Sequence, residues 1–282
     1  MNIKTIGIIG AGQMGIGITQ CAAMGGFSVI LRDISMEYCE KGLSKLASSL
    51  DKRVKAGKMA EEKMQKILSA ITLTDKLQDL KDCDIVIEAA PEDLELKQGI
   101  FEELGKICRK DAILCTNTSS IGIGKIMERC AYPERCCGMH FFFPAAVMKL
   151  VEITCSANTS DETVETVREV SAAIGKQAVV CRTDTAGFIV NRCLFALLLE
   201  AAHCVEDGVA TPEDIDTALK LGLNHPMGPF ELMDMSGLDT MIHVCDSLSD
   251  LPVTDWSTPK TVEKLVGEGC YGRKTGKGFY TY

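Results

Sequence analysis

The chain has no apolar run approaching the ~18 residues that a membrane-spanning helix needs, and no charged-then-apolar leader opens it, so neither a membrane span nor a secretory route is expected. It also lacks an excess of positive charge. Thirty Lys and Arg against 39 Asp and Glu leave a net charge of −9, which argues against broad binding to nucleic acid or an anionic membrane surface. There is no Cys-x-x-Cys, and the nearest metal-like spacing, Cys137-Gly-Met-His140, has no second ligand pair beside it; no metal site is expected. Fourteen cysteines in 282 residues without a secretory signal do not read as a disulfide framework; most of them read as small buried apolar side chains in a reducing, cytoplasmic compartment. Repeats and low-complexity tracts are missing too. What remains is globular in composition, 46% hydrophobic and 24% charged, with length for one large domain or two ordinary ones.

The stretch Lys4 to Asp33 organises the rest. Ile6, Ile8 and Ile9 form a β-branched run suited to a buried parallel strand, which breaks into Gly10-Ala11-Gly12-Gln13-Met14-Gly15 and then a helical segment from about Met14 to Met24. In this Gly-x-Gly-x-x-Gly pattern Gly10 permits the tight turn, Gly12 lets a pyrophosphate approach the backbone, and Gly15 lets the helix pack closely on the strand. The free N–H groups of the helix start would face the phosphates. A second apolar run, Phe27 to Leu31, leads to Asp33, 23 residues after Gly10, close to the spacing at which a carboxylate reaches the adenosine ribose. The competing reading is a flavodoxin-like unit whose glycines serve only the turn. Asp33 would repel a 2′-phosphate, so the spacing favours NAD over NADP, with Arg32 beside it tempering that preference.

From Asp33 to the next apolar strand, Asp84 to Glu88, the sequence reads as one unusually long crossover, helical over Glu37 to Gly57 and Ala60 to Ala70. Lys52, Arg53, Lys55 and Lys58 lie at the end of the first helix, either as a solvated face or as a clamp for an anionic ligand. Ala89-Ala90-Pro91-Glu92 follows the strand, then a helix from about Leu94 to Arg109 and a strand, Ala112 to Thr116, ending in Asn117-Thr118-Ser119-Ser120. Ligands of open α/β sheets lie at the carboxyl ends of strands, which places Glu92, Asn117 and Ser119 near a nicotinamide and substrate; a plain turn is the alternative for the Asn-Thr-Ser-Ser run. Cys136 to Phe143 and Leu150 to Thr154 read as strands carrying His140 and Glu152. A carboxylate on one ring nitrogen would fix the tautomer and raise the basicity of the other, the arrangement wanted for taking a proton from an alcohol. His203, His225 and His243 have no such partner in view. A helix over Glu162 to Ile174 and a strand over Gln177 to Cys181 close the sheet, after which the pattern is helical, with a long helix over Gly187 to Glu206 and a capped start at Thr211-Pro212-Glu213-Asp214. The expected architecture is α/β: a Rossmann-type, mostly parallel sheet domain over 1–183, then a smaller all-helical domain over 184–282.

The ordered set of motifs, GAGQMG, IEAAPEDLELK, NTSS, GMHFFFPAAVMKLVEI, GFIVNR, LGLNHPMGPFEL and YGRKTGKGFY, resembles the L-3-hydroxyacyl-CoA dehydrogenases over the whole chain, the bacterial 3-hydroxybutyryl-CoA enzymes above all. That resemblance implies His140 as general base, Glu152 as its orienting carboxylate, and Ser119 and Asn191 as polar contacts to the reacting groups. It implies an NAD site formed by Gly10, Gly12, Gln13, Met14, Gly15, Asp33, Ala90, Glu92, Lys97, Asn117, Ser119, Phe143 and Lys274. Ser49, Lys55 and Ser119 would meet a short-chain acyl-CoA, and the helical domain would pair chains as a homodimer or a larger homo-oligomer. Two departures stand out. The family pattern His-Phe-Phe-Asn-Pro reads His140-Phe141-Phe142-Phe143-Pro144 here, replacing an amide that approaches the cofactor, and the next turn carries Ala146 where a second proline is usual. Pro91 before Glu92 is also uncommon.

Overall fold

The computed structural model describes residues 3–249 and 257–282 and divides into two compact units between Thr185 and Ala186. The first holds one sheet of eight strands: β1 (Thr5–Ile9), β2 (Ser28–Arg32), β3 (Ile71–Thr74), β4 (Ile85–Glu88), β5 (Ile113–Thr116), β6 (Cys136–Phe141), β7 (Leu150–Thr154) and β8 (Gln177–Cys181). Their order is β3-β2-β1-β4-β5-β6-β7-β8, and every neighbouring pair is parallel except β6 with β7. The helices of this unit are α1 (Gln13–Met24), α2 (Met36–Lys55), α3 (Glu61–Ser69), α4 (Leu94–Ile107), α5 (Ile123–Ile126) and α6 (Asp161–Ala173). Ile85, Val86 and Ile87 are buried on a strand whose alternate side chains point to opposite faces, so both faces of the sheet are covered, and continuous apolar runs mark the strands better than alternation does.

The chain leaves β1 toward β2 and β3 on one side and resumes at β4 on the other, which makes the carboxyl ends of β1 and β4 the topological switch point. The crossover from Asp33 to Asp84 is therefore two crossovers, because β3 interrupts it. Four residues, Ile71-Thr-Leu-Thr74, with only the two ends buried at the sheet edge, give too short and mixed a pattern to stand out beside two long helices. Twelve of the fourteen cysteines are buried and all are free thiols, which fits their reading as small apolar residues.

The second unit packs α7 (Val190–Glu206), α8 (Pro212–Gly222), α9 (Pro229–Ser236), α10 (Leu238–Leu248) and α11 (Lys260–Gly267) around Phe195, Leu198, Leu199, Phe230, Met233 and Leu238. Thr211 caps α8 by accepting from the Asp214 amide, with Pro212 in the first turn. Two buried aspartates tie this unit together: Asp216 accepts from the Phe230 and Glu231 amides and the Tyr280 hydroxyl, while Asp234 accepts from the Phe279 and Tyr280 amides. The Gly-Pro-Phe-Glu-Leu and Lys-Gly-Phe-Tyr motifs are thus held to α8 and α9 by charge-assisted bonds. No helix among the described residues is long and apolar enough to cross a membrane.

Candidate active site

The turn after β1 is defined by atoms that are missing. Gly10 has φ +102° and donates to the Arg32 carbonyl at 2.8 Å, and a Cβ there would lie 2.5 Å from the Ala89 carbonyl oxygen after β4. At Gly15 a Cβ would fall 1.7 Å from the Gly10 oxygen, so only glycine lets α1 start this close to the turn. Gly12 faces open space and precedes α1 without any side-chain cap, which leaves the helix's first amides to whatever occupies the cleft. Asp33 Oδ2 accepts from the Ala11 amide at 2.6 Å and Oδ1 from the Ile34 amide at 2.7 Å, locking the end of β2 onto the glycine turn. These groups line a cleft of about 1070 Å³ that includes Gly10, Gly12, Gln13, Met14, Asp33 and Ala90, with Leu96, Gly99 and Ile100 of α4 opposite. Its size, its uncapped helix start and its carboxylate fit a dinucleotide.

Beside the cleft a buried charge network sets the loop after β5. Lys97 is 1% exposed and donates from Nζ to Glu88 Oε1 at 2.8 Å, with Glu92 Oε2 at 3.3 Å. Glu88 also accepts from the Ala90 amide and the Thr116 hydroxyl. Glu92 Oε1 gathers the Thr118 hydroxyl and the Ser119 and Ser120 amides. Burial works to raise the Glu92 pKa, yet the Thr118 bond, the Lys97 charge and the two amides outweigh it and hold the carboxyl below its ordinary range. Lys97 thus sits beneath the loop and positions it through two carboxylates. Asn117 donates its amide N–H to the Glu88 carbonyl and accepts the Phe141 N–H on Oδ1 at 2.9 Å, joining the ends of β4, β5 and β6.

His140 and Glu152 face each other in the antiparallel register of β6 and β7. The pair is buried, at 5% and 0% exposure, and Nδ1 lies 2.8 Å from Oε2. A slip of one residue would send either side chain to the other face of the sheet, so the ladder itself specifies the pair. A carboxylate on Nδ1 orients the imidazole and makes Nε2 the basic nitrogen of the neutral ring. The Phe142 ring lies 4.5 Å from the imidazole, centroid to centroid.

A second cleft, about 440 Å³, shares Ala11, Gly12, Gln13 and Lys45 with the first and runs between α2 and the loop after β6. Ser49 lines it together with Lys45 and Arg53, one helical turn to either side, while Phe143, Ala146 and Val147 form its apolar wall. Lys55 lies elsewhere: it pairs with Asp51 at 2.7 Å and is 76% exposed. Of the basic run noted in the sequence, Arg53 is the member that reaches the cleft. Lys45 was legible only as the residue completing an i, i+4, i+8 row with Ser49 and Arg53, and Lys176 carried no signal. Its buried ammonium donates to the Ala145 and Met148 carbonyls at 2.5 and 2.6 Å and pins the loop that bears Phe143.

Two predicted residues belong to the helical unit. Asn191 lies in the first turn of α7. Lys274 donates to Asp239 at 2.7 Å and packs over Gly237, where a Cβ would come within 2.4 Å of Nζ. Among the described residues no group of three or more His, Cys, Asp or Glu could hold a metal ion.

Comparison with known proteins matches this arrangement to one family across both units. The model of the 3-hydroxyacyl-CoA dehydrogenase NAD-binding domain matches residues 5–185 and that of its C-terminal domain residues 187–282. A 3-hydroxybutyryl-CoA dehydrogenase of Bradyrhizobium diazoefficiens is 42% identical over 99% of this chain and 96% of its own. The human mitochondrial hydroxyacyl-coenzyme A dehydrogenase is 41% identical over 99% and 91%. The crystal structure of (S)-3-hydroxybutyryl-CoA dehydrogenase from Ralstonia eutropha superposes with a TM-score of 0.96 at 41% identity, covering 100% of this chain and 99% of the other. The chain belongs to the 3-hydroxyacyl-CoA dehydrogenase family and is an NAD-dependent oxidoreductase.

Proposed function

We propose that this protein interconverts short-chain (S)-3-hydroxyacyl-CoA and 3-ketoacyl-CoA thioesters, 3-hydroxybutyryl-CoA and acetoacetyl-CoA first among them, with His140 as general base. The observation that carries the assignment is the 2.8 Å bond from His140 Nδ1 to buried Glu152. Bound NAD supplies the hydride acceptor. His140 Nε2 takes the hydroxyl proton as C3 is oxidised, and Glu152 stabilises the imidazolium that forms. Glu92 and Lys97 hold the Asn117–Ser120 loop in place, which presents Ser119 to the reacting end of the substrate. The glycine turn and the uncapped start of α1 hold the pyrophosphate, with Gln13 and Met14 beside it and Asp33 on the ribose.

The second cleft takes the carrier end of the thioester. Lys45 and Arg53 supply cationic groups on either side of Ser49 and replace Lys55 in that role, because Lys55 is held on Asp51. We assign the helical unit to self-association as a homodimer, checked by light scattering of the purified chain, and the cytoplasm as its location.

The test is NADH consumption with acetoacetyl-CoA, longer 3-ketoacyl-CoAs and free acetoacetate. Saturation with the short thioester and at most weak turnover of the free acid are expected. Equal turnover of acetoacetate would make the protein a hydroxy-acid dehydrogenase that ignores the carrier, and no turnover of any ketone would mark a nucleotide-binding relative that has lost catalysis.

A further inference from the structure

Two thiol pairs approach closely in the sheet unit, and neither takes part in the chemistry above. Cys130 Sγ lies 3.5 Å from Cys136 Sγ, and Cys115 Sγ lies 3.7 Å from Cys137 Sγ. The pairs differ in what surrounds them. Cys115 and Cys137 are fully buried neighbours on β5 and β6, fixed by the ladder between those strands. Cys130 lies outside any strand, between short 3-10 segments at Met127–Arg129 and Pro133–Arg135, and is 8% exposed. Cys136 is the first residue of β6, and its S–H has two acceptors, the Tyr132 carbonyl at 3.3 Å and Cys130 Sγ.

We propose that Cys130 and Cys136 form a reversible disulfide when the protein meets a hydroperoxide. The sulfurs already lie 3.5 Å apart, against ~2.05 Å in a disulfide, and Cys130 sits in a segment with no strand ladder to break. The less deeply buried member is also the better nucleophile: donation from Cys136 lowers the Cys130 pKa against the opposing effect of burial, and raises that of Cys136. In the first step the Cys130 thiolate attacks one peroxide oxygen; the O–O bond breaks, an alcohol or water leaves, and a sulfenic acid remains. In the second step Cys136 gives up its proton and attacks that sulfur, the S–S bond forms, the S–O bond breaks and water departs. Two thiols lose two electrons and two protons, and the hydroperoxide is reduced to an alcohol, or water, and water.

Trypsin separates the two cysteines, cutting after Arg129, Arg135 and Lys149, so the cross-link joins the 130–135 peptide to the 136–149 peptide. The native protein is treated with hydrogen peroxide, then unfolded in denaturant and alkylated with iodoacetamide, digested and analysed by tandem mass spectrometry. Expected is the loss of two of the fourteen alkylatable thiols, a linked 130–135/136–149 pair in the wild type and in Cys137→Ala, no link in Cys130→Ala or Cys136→Ala, and full recovery with dithiothreitol. Fragment ions placing the bond on Cys137, a link between Cys137 and Cys115, a Cys130 carried on to sulfinic acid, or fourteen alkylated thiols would each overturn the proposal. Circular dichroism checks that the variants fold; if one does not, the fragment ions of the wild type alone locate the bond.

Discussion

The carboxyl end of β1 and the β6–β7 ladder are built by opposite means. Around Gly10, Gly12 and Gly15 the site is built from backbone and from the absence of side chains: a Cβ at Gly15 would sit 1.7 Å from a carbonyl oxygen, and the groups offered to a ligand are amides. Along β6 and β7 the site is built from side chains buried and paired in place, His140 on Glu152. A backbone site has no side-chain rotamers to set and is fixed here by the bonds from Gly10 to Arg32 and from Ala11 to Asp33, and it binds through many small contributions. A side-chain site can change its charge during a reaction, and its performance hangs on one or two groups. Substitutions should therefore hurt the two regions differently, turnover at the β6–β7 ladder and binding or stability nearer β1.

The largest effect falls on the side-chain site. His140→Gln should leave the fold and NADH affinity intact and lower kcat by about 10²–10⁴-fold, the range for losing a positioned general base. Steady-state rates with acetoacetyl-CoA, beside an NADH titration, measure both; undiminished turnover would remove His140 from the chemistry.

Lys97→Met probes the network between the two regions. It leaves the carboxylate of Glu88, which is fully buried, without its cation, a situation that costs ~3–5 kcal/mol. For a domain of this size that corresponds to a fall in Tm of roughly 6–20 °C. A smaller fall, paired with a selective loss of NADH binding, would mean that Lys97 contacts the cofactor directly as well as holding the loop.

How legible each region was follows from how it is built. A site made of missing atoms leaves its mark as spacing along one short segment, so the pattern from Gly10 to Asp33 by itself specifies a dinucleotide cleft. The His140–Glu152 pair joins residues twelve apart whose meeting depends on the strand register, and the sequence offered two candidate side chains without the ladder that brings them together. Lys176 shows the limit: its buried ammonium donates to the Ala145 and Met148 carbonyls, and backbone oxygens leave no residue type for a motif to record. The edge strand β3 was hidden for a local reason, four residues with mixed burial between long helices.

Asp33 tests whether the β1 region selects its cofactor by charge. A doubly charged 2′-phosphate about 4 Å from this carboxylate would meet ~2 kcal/mol of repulsion in a water-like medium, roughly a 30-fold preference for NADH in kcat/KM. A preference for NADPH would mean that Arg32, which lines the same cleft, governs the choice instead. Glu152→Gln should do somewhat less. A neutral amide can still hold the ring, and the difference between a charge-assisted and a neutral hydrogen bond, about 1–1.5 kcal/mol, lowers kcat roughly tenfold. Wild-type kcat in this variant would reduce Glu152 to a packing residue.

The smallest expected effect is at Phe143, where the family's usual asparagine is missing between the two regions. In the structure its ring is 63% exposed and forms part of the wall of the second cleft, so removing it opens no cavity in the core. Phe143→Asn should therefore leave Tm within the small range of surface substitutions, about ±0.5 kcal/mol. If the amide regains a hydrogen bond to the cofactor, a neutral bond worth about 0.5–1.5 kcal/mol tightens NADH binding by roughly 2- to 13-fold. Fluorescence titration of NADH, with melting curves taken in parallel, separates the outcomes. Tighter NADH at unchanged Tm would show that a backbone-built cleft gains from one added side-chain contact. Unchanged NADH affinity with a raised KM for acetoacetyl-CoA would assign the ring to the carrier cleft, where its exposed face stands opposite Lys45 and Arg53, and would place Phe143 among the residues that choose the substrate.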